Sequence, residues 1–110
     1  MDKDKDDIVF IYTTFAAMEQ ARALGENLVL EKLAACVNIF PGMVSLYEWE
    51  EQMQSENEVA MIIKTRRGKC EDAFRRIGEL HPYDTPAILV LPVEHTEEAY
   101  KAWLISATGG

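Results

Sequence analysis

Two stretches of helical periodicity, set between four apolar runs too short to be helices, leave this chain few architectures. Residues 8–12 form a β-rich apolar run without alternation, the pattern of a strand buried on both faces. Thr13 or Thr14 then offers a helix cap, and Ala17, Ala21, Leu24 and Leu28 recur at helical spacing, ending near Leu33. Gly25 lies inside that pattern, where it costs about 1 kcal/mol against alanine. Close packing of the helix on a sheet would account for it.

The next segment, residues 36–49, is too long and too β-rich for one simple strand. Pro41-Gly42 interrupts it, and such a dipeptide marks a turn or a bulge. Val44, Leu46, Tyr47 and Trp49 resume the strand. Residues 50–58 are polar and 59–65 read as another strand, so a long antiparallel hairpin turns within 50–57. No Asn-Gly pair fixes its register. Residues 68–80 return to helical spacing, with Cys70, Ala73, Phe74, Ile77 and Leu80 on one face. A fourth strand spans 87–93, and Pro92 puts its end at a sheet edge. Thr96, followed by Glu97 and Glu98, starts a last helix striped by Tyr100, Trp103, Leu104 and Ala107.

The resulting order, β-α-β-β-α-β plus a terminal helix, is the ferredoxin-like α+β arrangement. It predicts one domain over 8–107, a disordered mixed-charge tail at 1–7 and a frayed tail at 108–110. Two helices cover one sheet face. The other keeps apolar side chains that only the last helix can shield, and the hairpin adds Tyr47 and Trp49 to the surplus. Uncovered apolar area and open strand edges call for a partner, so self-association is expected.

Charge narrows the partners further. The 110 residues carry a formal net charge of −8, which disfavours nucleic acid and anionic membranes, both of which select clustered Lys and Arg. Apolar residues make up 48% of the chain, enough for a folded soluble unit. Cys36 and Cys70 form neither a disulfide framework nor a Cys-x-x-Cys spacing. With no apolar signal core behind the charged start, a cytoplasmic protein is expected.

The run His81-Pro82-Tyr83-Asp84-Thr85-Pro86 holds an imidazole in a stiff loop. Each proline fixes its own φ and pushes the residue before it toward extended geometry. Together with other segments this run carries a resemblance. Glu31-Lys32-Leu33-Ala34-Ala35-Cys36-Val37-Asn38, Pro41-Gly42, Ser45-Leu46-Tyr47-Glu48-Trp49, Glu58 with Ile63-Lys64-Thr65, and Tyr100 with Trp103 complete it. In this order they resemble the CutA family, named for divalent-cation tolerance. The resemblance implies a compact trimer joined through the long hairpins and a role in tolerance of metals such as copper, without established catalysis. In some relatives copper lies beside a Cys ending the first strand and a His-His pair before Pro-Tyr. Here those positions read Tyr12 and Leu80-His81, so only His81 is retained.

His81 is accordingly the candidate ligand for copper or another divalent cation, with symmetry bringing either further copies of His81 or Asp84 of a neighbouring copy to complete the site. The competing reading is that His81 hydrogen-bonds backbone at a helix end. Cys36 and Cys70 read as small core residues, and the methionines match no compact metal motif. Glu48, Glu50, Glu51, Glu56 and Glu58 read as a solvated hairpin rim, and His95 as solvated. Arg66-Arg67-Gly68-Lys69 precedes a helix start, where an anion could sit. Nothing assembles a nucleophile with a base, so no enzyme is expected. Three functions stay open: a metal-tolerance trimer, a small-anion sensor likened in architecture to PII regulators, and a non-catalytic scaffold.

Overall fold

Antiparallel pairing between the first apolar run and the far half of the hairpin builds the centre of the structure. In the computed structural model, which describes residues 4–110, β1 (Ile8–Phe15) pairs with β3 (Gln52–Arg66) on one side and β4 (Ile88–Pro92) on the other. Strand β2 (Cys36–Trp49) lies outside β3, giving the order β2-β3-β1-β4. Helices α1 (Met18–Leu30) and α2 (Arg67–Leu80) cross over one face, and α3 (Glu98–Ala107) follows β4. This is the expected ferredoxin-like α+β topology with the extra terminal helix.

Residues opposite one another in the register share a face. Val9, Ile11, Thr13 and Phe15 therefore sit with Val59, Met61, Ile63 and Thr65 on the helix-covered face, and all eight are buried. Leu24, Leu28, Ala73 and Ile77 close this core from the helices. A Cβ on Gly25 would stand 2.8 Å from Val37 Cγ2, so the glycine lets α1 lie directly on β2. On the opposite face α3 covers only one end, where Leu104 packs with Ile8, Ala35 and Phe10. Phe40, Leu89 and Leu91 on that face remain 52%, 50% and 41% exposed.

Strand β1 ends its pairing at Phe15↔Val59, whereas β2 and β3 continue from Met43↔Glu58 to Trp49↔Gln52. The hairpin thus projects beyond the sheet as two strands alone. Pro41-Gly42 forms the bulge between Phe40 and Met43, with Gly42 at φ +81°. The turn itself is only Glu50-Glu51, both at positive φ (+50° and +65°), the primed geometry that matches strand twist. The polar stretch after it is strand and not a wide loop.

Several local expectations give way to tertiary contacts. Thr13 and Thr14 belong to β1, and α1 begins after Ala17 without a side-chain cap. At α3 the cap is Glu97, whose carboxylate accepts from the Ala99 and Tyr100 N–H groups, and not Thr96. Of the predicted 1–7 tail, residues 1–3 lie outside the described residues. Residues 4–7 form a turn whose Lys5 and Asp7 carbonyls accept from Gly68 and Arg67 N–H, each at 2.8 Å. Thr108 is likewise buried, and Arg66 grips its hydroxyl (2.8 Å) and carbonyl (3.2 Å). Residues 4–7 and Thr108 are tied to the α2 start and so differ from the predicted tails.

Candidate functional site

Pro82 stops α2 at Leu80 and leaves His81 extended, at φ −69° and ψ 134°. From there the imidazole turns inward and is 8% exposed. It lies flat against Phe15 and tilted against Tyr83. Nε2 is 2.9 Å from the Thr14 carbonyl and 3.1 Å from Thr13 Oγ1. A carbonyl oxygen only accepts, so Nε2 carries the proton. Nδ1 in turn accepts from the Tyr83 N–H at 3.2 Å. Burial pushes the imidazole pKa down, against a smaller upward pull from the Thr14 carbonyl.

This arrangement does not fit a metal. A ligating imidazole needs a free lone pair, and the only one on His81 faces the Tyr83 amide. Asp84 of the same chain is exposed in the loop. Among the described residues no three His, Cys, Asp or Glu side chains come together. The geometry matches the competing reading, a histidine that fastens the loop to the end of β1. Tyr12 donates to Met43 Sδ at 3.5 Å.

What the loop does position is Tyr83. Its phenol donates to Glu58 Oε2 at 3.2 Å, across the root of the hairpin. Nearby Tyr47 donates to Glu56 Oε1 at 2.8 Å. These four side chains, with Trp49, Thr14, Ala16, Thr85 and Ala87, line a cavity of about 610 Å³. Both phenols are harder to ionise than usual: Tyr83 chiefly through burial and the Glu58 charge, Tyr47 chiefly through its hydrogen bond to Glu56. From the sequence, Glu56 and Glu58 were a solvated rim with no link to Tyr83. The missing information was the hairpin register, which places Tyr47 opposite Gln54 and diagonal to Glu56.

The remaining candidates are ordinary. Cys36 and Cys70 are unpaired thiols, each partly buried, and burial raises the Cys70 pKa against the pull of Arg67. His95 is exposed. The helix start that could have held an anion is filled by the chain itself, through the Lys5 and Asp7 carbonyls, while Arg66 is spent on Thr108 and Asp6. Arg67 lines a groove of about 490 Å³ with Cys70, Phe74, Arg75 and Val90.

The family model of the CutA1 divalent ion tolerance protein matches residues 9–107. The chain belongs to the CutA family. It is 40% identical over 101 residues to the divalent-cation tolerance protein CutA of Pyrococcus horikoshii, covering 92% of this chain and 98% of that one. It is also 40% identical over 100 residues to the chloroplastic protein CutA of Arabidopsis thaliana. There it covers 91% of this chain and spans only 55% of the relative's length. Among solved structures, the CutA1 divalent ion tolerance protein from Ehrlichia chaffeensis superposes with a TM-score of 0.91 at 34% identity, over 94% of this chain and 97% of that one. Family membership and fold thus agree with the motif reading. No helix of the described residues is long and apolar enough to cross a membrane.

Proposed function

We propose that this chain acts as a non-catalytic homotrimer that contributes to tolerance of divalent cations in the cytoplasm. The observation that carries the oligomer is the open sheet face. Phe40, Leu89 and Leu91 stand exposed there beside half-buried Tyr12 and Ile62, and α3 shields only the far end. Burying apolar area is worth about 25 cal/mol per Å², and a two-stranded hairpin projecting past its own sheet needs support from outside. Docking three such faces together, with each hairpin reaching a neighbour, supplies both. The cation role follows from the family, which is named for divalent-ion tolerance.

Cation contact in this reading is weak and carboxylate-based, since neither His81 nor Asp84 has the surroundings of a resident copper ligand. The formal charge of −8 draws cations as a field, and the exposed Glu48, Glu50 and Glu51 near the hairpin tip extend it. The two free thiols suit a reducing compartment.

Light scattering of the purified protein tests the assembly: a mass of three chains at micromolar concentration is expected, and Leu89→Glu should lower it. A monodisperse monomer removes the proposal. Copper titration by equilibrium dialysis tests the site: His81→Ala should leave the stoichiometry unchanged. Loss of one bound copper per chain in that variant would restore His81 as a ligand.

A further inference from the structure

Tyr47, Trp49 and Tyr83 share one cavity of about 610 Å³ with Glu56 and Glu58. That volume falls inside the range of small-molecule sites, about 300–1,000 Å³. The ion pairs among the described residues engage Asp6, Glu31, Asp72 and Glu79, and leave these two carboxylates without a cationic partner. Each carboxylate is instead held by a phenol, Tyr47 on Glu56 and Tyr83 on Glu58. The cavity therefore presents negative charge at fixed positions between aromatic walls.

A metal ion is poorly served here. Among the described residues Glu56 and Glu58 are the only His, Cys, Asp or Glu residues in the lining, and each already accepts a phenol hydrogen bond. Water would have to supply most ligands of a hard cation, which makes for weak binding. A weakly hydrated organic cation asks for less. Its charge is spread over alkyl groups, which aromatic faces attract through their quadrupole, and one or two carboxylates complete the neutralisation. The methyl groups of Thr14, Ala16, Thr85 and Ala87 suit its apolar surface. We propose that this cavity binds a small alkylammonium ion, with Trp49, Tyr47 and Tyr83 contacting the alkyl shell and Glu56 and Glu58 its charge. The hairpin wall of the cavity is the same element that bridges protomers in the proposed trimer, so a basic side chain of a neighbouring copy is the rival occupant.

The full chain, its mass followed by light scattering, is titrated with tetramethylammonium chloride against sodium chloride of equal ionic strength. Calorimetry and tryptophan fluorescence are the readouts. Saturable binding in the millimolar range is expected, with the fluorescence change lost in Trp49→Leu and kept in Trp103→Leu. Glu58→Gln, which preserves the shape of the side chain, should weaken binding about tenfold without changing the oligomer mass. A response no different from sodium overturns the proposal in favour of a neighbour's side chain. Saturation by magnesium or copper chloride but not by tetramethylammonium overturns it in favour of a metal site. Equal affinity in wild type and Glu58→Gln overturns the placement in this cavity, whatever the fate of Trp49→Leu.

Discussion

His81 lies flat on Phe15, with ring centroids 4.5 Å apart and planes 9° from parallel, and this stack makes the imidazole part of the core. An ordinary histidine titrates near 6.5, and burial lowers the value in the fold. Between those two values the unfolded chain holds the extra proton, so stability rises with pH there. The contribution is complete above 6.5 and is lost as pH falls through the folded value. Protonating Nδ1 also removes the acceptor of the Tyr83 N–H. His81→Ala should cost about 2 kcal/mol near neutral pH, through a lost stack and an unpaired Thr14 carbonyl. Urea midpoints at pH 7.5 and 5.5 check it: the drop on acidification should be smaller in the variant than in wild type.

Much of this was readable in the chain because single residues dictated backbone. Pro82 forces His81 out of the helical region, and Pro41-Gly42 announces the bulge. Element order and the open sheet face followed from apolar periodicity. Where local sequence misleads, a distant strand decides. Thr13 and Thr14 look like helix caps, yet β3 supplies Met61 and Ala60 as their ladder partners and holds them in β1. The two tails looked free because their anchors, Arg66 and the α2 start, lie about forty to sixty residues away in sequence. The cavity needs Tyr83 from one loop, Glu58 from β3 and Trp49 from β2, a meeting that depends on register. Composition carries no register.

Gly25 reports how tightly α1 lies on β2. Alanine there gains about 1 kcal/mol of helix propensity but drives its methyl to 2.8 Å from Val37 Cγ2. Overpacking of this kind costs about 1–3 kcal/mol, so Gly25→Ala should be net destabilising by about 1 kcal/mol. In a Val37→Ala background the obstacle is gone and the same change should stabilise. Denaturant midpoints of the four proteins decide it, and loss of stability in both backgrounds would place the clash elsewhere.

Glu50 and Glu51 both adopt left-handed backbone, which side chains with a Cβ resist by about 1–2 kcal/mol each. Asn-Gly is the dipeptide this turn favours. The double change Glu50→Asn, Glu51→Gly should therefore raise stability by about 1 kcal/mol, after glycine's greater freedom in the unfolded chain is deducted. Thermal unfolding at fixed protein concentration is the check, because oligomer dissociation makes the midpoint concentration-dependent. An unchanged or lower midpoint would mean that Glu50 and Glu51 make compensating contacts across protomers.

Arg66 joins Asp6 to Thr108. Its guanidinium donates to the Thr108 hydroxyl and carbonyl and lies 3.5 Å from the Asp6 carboxylate, while the neighbouring Arg67 and Gly68 amides hold Asp7 and Lys5. The Asp6 contact is half-exposed and adds little, whereas the hydrogen bonds to buried Thr108 leave unpaired acceptors when removed. Arg66→Ala should cost about 1–3 kcal/mol. The loss should be local before it is global. Hydrogen exchange at Thr108, Gly109 and Gly110, whose amides are bonded back to residues 104–106 of α3, should accelerate while exchange in β1 and β3 stays slow. Uniform acceleration through the sheet would show instead that the terminal clasp is part of the cooperative core.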